Sequence, residues 1–241
     1  MGTENSFGTL YLISSPLGDN SPLEVLPLSV KTKVEEIDHF IVENEKFARR
    51  FFKKLVPNKS QDSLYLYPLN KFTTQEEIET YLNPCFKGIQ MGLISDSGAP
   101  GIADPGAIIV SKAHKSGVTV KPLVGPCSLI LAMMSSGMNG QNFAFNGYLP
   151  IDSKQRKKSL LKFEKKAIRE NQAQLFIETP YRNDVLLRDM LNTLMSSTLL
   201  CIASDLTLST EFIKTLNIKE WKKQKLRLDK RPSIFIIEPD F

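Results

Sequence analysis

Histidine and cysteine are scarce in this chain of 241 residues, which holds two of the first and three of the second. His39 and His114 lie far apart, and neither an H-E-x-x-H nor a G-x-S-x-G pattern occurs. A metalloprotease and a serine hydrolase of the α/β-hydrolase type are therefore disfavoured. Cys85, Cys127 and Cys201 are scattered and odd in number, which makes neither a disulfide framework nor a zinc site. They read as buried free thiols, and no metal is expected. None of the 13 glycines lies two residues from another, and no G-x-x-x-x-G-K run precedes Ser or Thr. That removes the usual Rossmann dinucleotide loop and the Walker nucleotide loop. Long apolar runs are missing as well. The longest, Pro122 to Met138, is broken by Gly125, Pro126, Ser128 and Ser135, and falls short of the ~20 residues of a membrane span. No membrane partner is expected. Met1 to Ser6 contain no basic stretch followed by an apolar one, which argues against a secretory signal and for a cytoplasmic protein.

What is present is the material of a soluble globular protein, with 41% hydrophobic and 24% charged residues. The length fits one large domain or two modest ones, and two are expected, over 1–122 and 123–241. The net charge of +5 is unevenly placed: residues 1–122 carry 13 basic and 14 acidic side chains, residues 123–241 carry 18 and 12. The excess gathers in Lys154 to Arg169, which includes Arg156, Lys157 and Lys158, and again in Lys219 to Arg231. Such clusters suit a polyanion, because each neutralised phosphate releases condensed counterions. A solvated helix face is the competing reading.

Apolar runs and turn residues alternate through the first half. Gly8 to Ile13 reads as a buried strand ended by Pro16 and Gly18, and Pro27 to Val34 as a helix. Strand-like Phe40 to Val42 places Glu43 at a carboxyl end, and Glu45 to Val56 has helical spacing. Leu64 to Leu69 is another strand, and Thr73 opens a helix whose first turn is rich in hydroxyls and acids. Ile89 to Asp96 is strand-like, Ala107 to Ser116 helical, and Val118 to Leu123 a closing strand. This alternation argues for a parallel α/β sheet. The second half reads as another α/β unit, with helices over Leu129 to Met134, Ser153 to Arg169 and Asp184 to Leu194. Its strands are Gln174 to Glu178, Leu199 to Ser204 and Ser233 to Glu238.

The densest cluster of small and rigid residues runs from Ser95 to Gly106, at the end of a strand. Glycine allows close approach of the backbone to a ligand, proline fixes the loop, and open α/β sheets bind ligands at strand carboxyl ends. A tight turn capped by Asp104, with Pro105 opening the helix, accounts for Asp104 to Gly106 but leaves Gly98 to Gly101 unexplained.

These segments resemble the tetrapyrrole methylase superfamily of S-adenosylmethionine-dependent methyltransferases, most closely its branch of ribosomal small-subunit RNA ribose methyltransferases. Ser15 to Asp19 is similar to the T-P-I-G-N loop of that branch, and Ser95 to Gly106 to its S-D-A-G-T-P-x-I-S-D-P-G signature. Gly125 to Ser128, Phe145 to Pro150 and Glu178 to Arg182 match P-G-x-S, F-x-G-F-L-P and E-S-P-H-R. The resemblance spans Gly8 to Glu238. It implies two α/β domains with S-adenosylmethionine in a cleft between them, usually in a homodimer, and an RNA or ribosomal particle as partner. Carried across by position, cofactor contacts fall at Pro16, Leu17, Asp96, Gly98, Ile102, Ala103, Ser128 and Ala203. Packing is the competing role for Leu17 and Ile102.

Departures gather on the substrate side. Glu43 to Phe47 keeps the first acid of E-D-T-R-H and places Lys46 where the arginine stands. H-N-E is reduced to Leu69 to Lys71, and A-R-E-L-T-K becomes Ala203 to Leu208, with Ser204 and Leu208 in place of arginine and lysine. No counterpart is expected for the helical extension common after the last strand in that branch. Glu43 is the expected general base, with an ion pair to Lys46 as its alternative role. Glu178 is the second catalytic acid expected, with Arg182 holding a phosphate or carboxylate; an ion pair between the two is the alternative. Lys157 and Lys158 are expected to bind the RNA. Three functions remain open: a ribosomal RNA 2'-O-methyltransferase, a methyltransferase of the same fold with a small-molecule or protein acceptor, and an S-adenosylmethionine-binding protein without turnover.

Overall fold

The structure, a computed structural model, describes residues 7–240, so the readings made on Met1 to Ser6 and on Phe241 lie outside the described residues. The chain divides into a unit ending at Cys127 and a second beginning at Ser128. Residues 123–127 go with the first unit because the Leu123 N–H donates to the Leu12 carbonyl at 2.9 Å. Gly125 also lies so close to Ser14 that a Cβ there would stand 2.4 Å from the serine Cβ.

The first unit is a parallel sheet of β1 (Thr9–Ile13), β2 (His39–Val42), β3 (Tyr65–Pro68), β4 (Met91–Ile94) and β5 (Thr119–Pro122), in the order β3-β2-β4-β1-β5. Strand side chains alternate between faces. Tyr11, Ile13, Phe40, Val42 and Ile94 pack with helices α1 (Leu28–Glu36) and α2 (Glu45–Leu55). Leu10, Ile41, Met91 and Leu93 pack with α3 (Gln75–Thr80), α4 (Asn83–Phe86) and α5 (Ala107–Lys115). Cover on both faces explains why the central strands β1, β2 and β4 read as continuous apolar runs. Phe40 and Phe52, fully buried with ring centroids 4.4 Å apart, each contribute about 1.5–3 kcal/mol. Asn44 starts α2 by accepting the Lys46 and Phe47 N–H groups, and Thr74 with Glu77 forms a capping box on α3.

The second unit comprises α6 (Ser128–Ser136), β6 (Phe143–Tyr148), α7 (Ser153–Glu170), β7 (Ala173–Ile177), α8 (Asn183–Thr193), β8 (Leu199–Ser204), β9 (Phe212–Asn217), α9 (Ile218–Trp221) and β10 (Ser233–Glu238). Its sheet, ordered β6-β7-β10-β8-β9, is mixed: only β6 and β7 are parallel. Two strands escape the sequence pattern. β6 is hidden by Gly147 at φ +64° and a register irregularity between Phe145 and Tyr148, and β9 by lying at an edge where no side chain is fully buried. Phe176, Leu186, Met190, Leu200, Trp221 and Phe235 anchor the core on one face. On the other face α6 covers β8, β9 and β10, and Thr215 Oγ1 donates to the Ser136 carbonyl at 2.7 Å.

Burial corrects two readings. Cys127 is only partly buried, unlike Cys85 and Cys201. Arg156, counted in the basic run, is 4% exposed. Its Nε and Nη2 donate to Asp189 Oδ2 at 2.8 and 2.5 Å, and its Nη1 to the carbonyls of Pro150 and Ile151, so it holds α7 to α8 and takes no part in the basic surface. Among the described residues no helix is long and apolar enough to cross a membrane.

Candidate active site

The loops after β1 and β4 leave toward opposite edges of the first sheet, which puts its switch point where these adjacent strands end. The register aligns Ile13 with Ile94 and Val42 with Ile94. Ser14 and Ser15, Glu43, and Ser95 and Asp96 therefore emerge side by side. Their side chains are linked: Ser15 Oγ donates to the Ser95 carbonyl at 2.8 Å, and Ser95 Oγ donates to Glu43 Oε1 at 2.8 Å. The same carboxylate oxygen accepts the Asp96 N–H at 2.9 Å, so Glu43 spans the ends of two strands instead of pairing with Lys46. Burial, and then the nearby Glu43 charge, push the Asp96 carboxyl up to about 6.

The glycine-rich loop is tied down at both ends. Ser15 and Gly98 exchange two backbone hydrogen bonds, at 3.0 and 3.1 Å. Gly98 has φ +77°, and a Cβ there would stand 3.0 Å from Leu17 Cδ2 and 3.4 Å from the Pro126 carbonyl. The position demands glycine on conformation and on space. Asp104 Oδ1 accepts from the N–H groups of Gly101 and Gly106, at 2.8 and 2.7 Å. It thus closes the loop on itself, and α5 begins at Ala107, as expected, with Gly106 as its cap, so Pro105 does not open the helix. Ala103 is held at φ +63°, and Ile102 beside it is exposed.

Pro16, Leu17, Glu43, Asp96, Gly98, Ile102 and Ala103 thus gather at one edge of the first unit. The other expected site residues lie in the second. Ser128 is the first residue of α6, and Ala203 is buried in β8 opposite Ile234. The Glu178 side chain is 1% exposed, and its Oε1 accepts from Thr179 N–H at 2.7 Å and from Arg182 Nε and Nη2 at 3.0 and 2.6 Å. This is the ion pair weighed above: the enclosed Glu178 carboxylate holds Arg182. Lys158 is exposed on α7, and Lys157 Nζ stands 4.0 Å from Asp189 Oδ1. Among the described residues no group of three or more His, Cys, Asp and Glu side chains is placed to hold a metal ion.

Sequence reasoning missed the bridging roles of Ser15 and Ser95, whose only signal was position beside the loop. It also missed Arg231. Arg231 Nε donates to Asp205 Oδ2 at 2.7 Å, and its Nη2 to the Thr210 carbonyl at 2.6 Å. No local pattern links residues so far apart in the chain.

No family model matches the chain. It is 30% identical over 216 residues to ribosomal RNA small subunit methyltransferase I of Vibrio cholerae serotype O1, covering 90% of this chain and 71% of that protein. The chain belongs to the ribosomal RNA small subunit methyltransferase I family. It is accordingly a methyltransferase. The relative of the same description from Escherichia coli O157:H7 is 28% identical over 238 residues, covering 98% of this chain and 79% of its own. Solved structures share the fold: the methyltransferase CobJ, with a TM-score of 0.61 at 14% identity, covers 96% of this chain and 94% of its own. A uroporphyrin-III C-methyl transferase from Thermus thermophilus, complexed with S-adenyl homocysteine, has a TM-score of 0.56 at 15% identity and covers 96% and 97%.

Ser204, where the resemblance leads to the expectation of an arginine, has a definite physical setting. Ser204 is fully buried, with its hydroxyl 2.7 Å from that of Ser233, so a guanidinium has no room there. Arg231 brings one to the neighbouring Asp205 from the lead-in to β10.

Proposed function

We propose that this chain transfers the methyl group of S-adenosylmethionine to a ribose 2'-hydroxyl of small-subunit ribosomal RNA. The observation that carries the reading is the likeness to a ribosomal RNA small subunit methyltransferase I over 90% of the chain, combined with Glu43 set beside Asp96 of the Ser95–Gly106 loop. The residues suit the cofactor: Gly98 lets the loop backbone lie directly against Leu17 and Pro126 at the strand ends, and Asp96 offers a carboxylate to a cation. Pro16, Leu17, Asp96, Gly98, Ile102 and Ala103 would hold it, with Ser128 and Ala203 of the second unit assigned by the resemblance alone. Bound there, S-adenosylmethionine supplies an activated methyl group on a sulfonium.

A ribose hydroxyl is a weak nucleophile until its proton has a positioned acceptor, and Glu43 is that acceptor in this reading. Its Oε1 is committed to Ser95 and Asp96, which fixes the orientation of the carboxylate. Orientation of the acceptor oxygen supplies much of the remaining rate. Arg182, aligned by Glu178, and Lys157 and Lys158 serve phosphates of the RNA. The reading also has the chain act as a homodimer in the cytoplasm, on the strength of the resemblance.

Incubation of the purified protein with labelled S-adenosylmethionine and small subunits from a strain lacking the family enzyme tests this, with the RNA digested to nucleosides. A 2'-O-methylated nucleoside is expected. Reversing the charges of Lys157, Lys158, Lys165 and Lys166 together should weaken subunit binding and flatten its salt dependence. Label on protein or a small molecule, or cofactor binding with no transfer, would replace this reading with one of its alternatives.

Asp96 gives a pH prediction. Its carboxyl binds a proton more tightly in the folded chain than at its ordinary value of 3.8, so its contribution to stability declines as pH rises from about 4 to about 6. Function runs the other way. Affinity for the cationic cofactor should fall as pH drops through about 6, and Asp96→Asn should flatten that limb in a calorimetric titration.

A further inference from the structure

The loop over residues 69–74, between β3 and α3, ends in an aromatic ring that the fold does not use. Phe72 is 79% exposed, the most exposed of the large apolar side chains among the described residues. The exposed Phe7 and Phe86 cover one another edge to face at 5.4 Å, whereas the neighbour over the Phe72 ring is a cation, Lys71 Nζ at 4.8 Å. A phenyl ring left in water costs free energy and contributes nothing to the core.

The loop is nevertheless well braced. Leu69 N–H donates to the Val42 carbonyl at 2.7 Å, and Phe72 N–H donates to Asn70 Oδ1 at 3.0 Å. Thr73 Oγ1 accepts the Asn70 N–H and donates to the Pro68 carbonyl, both at 2.9 Å. Asn70 Nδ2 reaches the main-chain carbonyl of Glu43 at 3.3 Å. The loop that carries Phe72 is thereby joined directly to the residue assigned as proton acceptor. Binding to such a loop need not order it first, which removes a large entropic cost.

Charge around this edge is mixed, since α3, which follows the loop, carries Glu76, Glu77 and Glu79, but the groups beside the ring itself are cationic. Lys71 flanks Phe72, and α2, which follows Glu43, carries Lys46, Arg49, Arg50, Lys53 and Lys54 against the single acid Glu45, with Arg49 bound to the Gln61 carbonyl and Lys54 paired with Asp19. Arg50 lies over the Phe47 ring at 5.8 Å, a second pairing of ring and cation close to Glu43. Aromatic faces flanked by cations are how single-stranded RNA is gripped: unpaired bases stack on the rings, and basic groups meet the phosphates.

We infer that the Lys71–Phe72 tip is a nucleobase-binding subsite, in which Phe72 stacks on an unpaired base next to the acceptor ribose and Lys71 meets an adjoining phosphate. The inference rests on the RNA reading above and adds that the acceptor strand is unpaired at this point.

The test uses the full chain with an unstructured RNA oligonucleotide and with small subunits. Phe72→Ala should weaken RNA affinity about 10-fold and raise KM for subunits with kcat nearly unchanged, leaving cofactor affinity and melting temperature as in the parent. Phe72→Leu, apolar but without a π face, should behave like alanine. Phe72→Trp should keep affinity and lose indole emission as RNA is added, against a constant background from Trp221, which is 2% exposed. Parental affinity in Phe72→Ala, or full affinity in Phe72→Leu, overturns stacking. A change in sedimentation of the protein without change in RNA affinity would assign the ring to contact with a second copy of the chain. A parent that methylates subunits with Phe72-independent affinity sinks the subsite alone; a parent that neither binds nor methylates RNA sinks the function with it.

Discussion

Glu43→Gln lowers methyl transfer by about 10²- to 10⁴-fold while cofactor affinity stays within a few-fold of the parent. The substitution retains an oxygen that can accept from Ser95 Oγ and the Asp96 N–H, so the link between the β2 and β4 ends is preserved. Only the charge and the basicity are lost, and the deficit belongs in kcat. A second readout separates this from a general loss of structure. The Glu43 charge is one of the two causes that raise the Asp96 carboxyl, the larger being burial, so its removal should move the acid limb of cofactor binding below about 6 without abolishing it. Equal single-turnover rates in mutant and parent would remove Glu43 from the mechanism.

Gly98→Val abolishes detectable cofactor binding, a loss of at least about 100-fold in a calorimetric titration. Two effects combine at this position. A side chain at φ +77° is strained by about 1–2 kcal/mol, which lowers the melting temperature by about 2–8 °C. The side chain also enters the space between Leu17 and Pro126, where even a Cβ meets Leu17 at 3.0 Å. Gly137→Val separates the two, because Gly137 has φ +73° with nothing within 4 Å of an added Cβ. It should cost similar stability and leave binding intact. Retained binding in folded Gly98→Val would place the cofactor elsewhere.

Local chemistry made much of this protein legible before any coordinates. The strands of the first unit announce themselves because both faces are covered, which makes Leu10 to Ile13, Phe40 to Val42 and Met91 to Ile94 unbroken apolar runs. The helix starts expected at Glu45 and at Thr73 lie within two residues of those observed, because the Asn44 and Thr74 caps that set them operate over three residues. The Ser95–Gly106 loop is legible because Gly98 and Gly101 take backbone angles that few other residues tolerate, and Glu43 because a strand precedes it directly.

Tertiary structure decided what depends on residues distant in the chain. That one Glu43 carboxylate oxygen accepts both the Ser95 hydroxyl and the Asp96 N–H follows from the register of β2 on β4, and register is a property of the assembled sheet. Burial turned Arg156 from a member of a basic run into the partner of Asp189, and turned Glu178 into the support of Arg182. The Asp205–Arg231 pair joins positions on either side of β9 and α9, and the mixed direction of the second sheet depends on pairings that no local pattern encodes. Spacing along the chain determines periodicity, caps and turn geometry, because those interactions reach only a few residues. Which charges are buried, and which carboxylates face each other, are set by long-range packing, and that packing formed the candidate site.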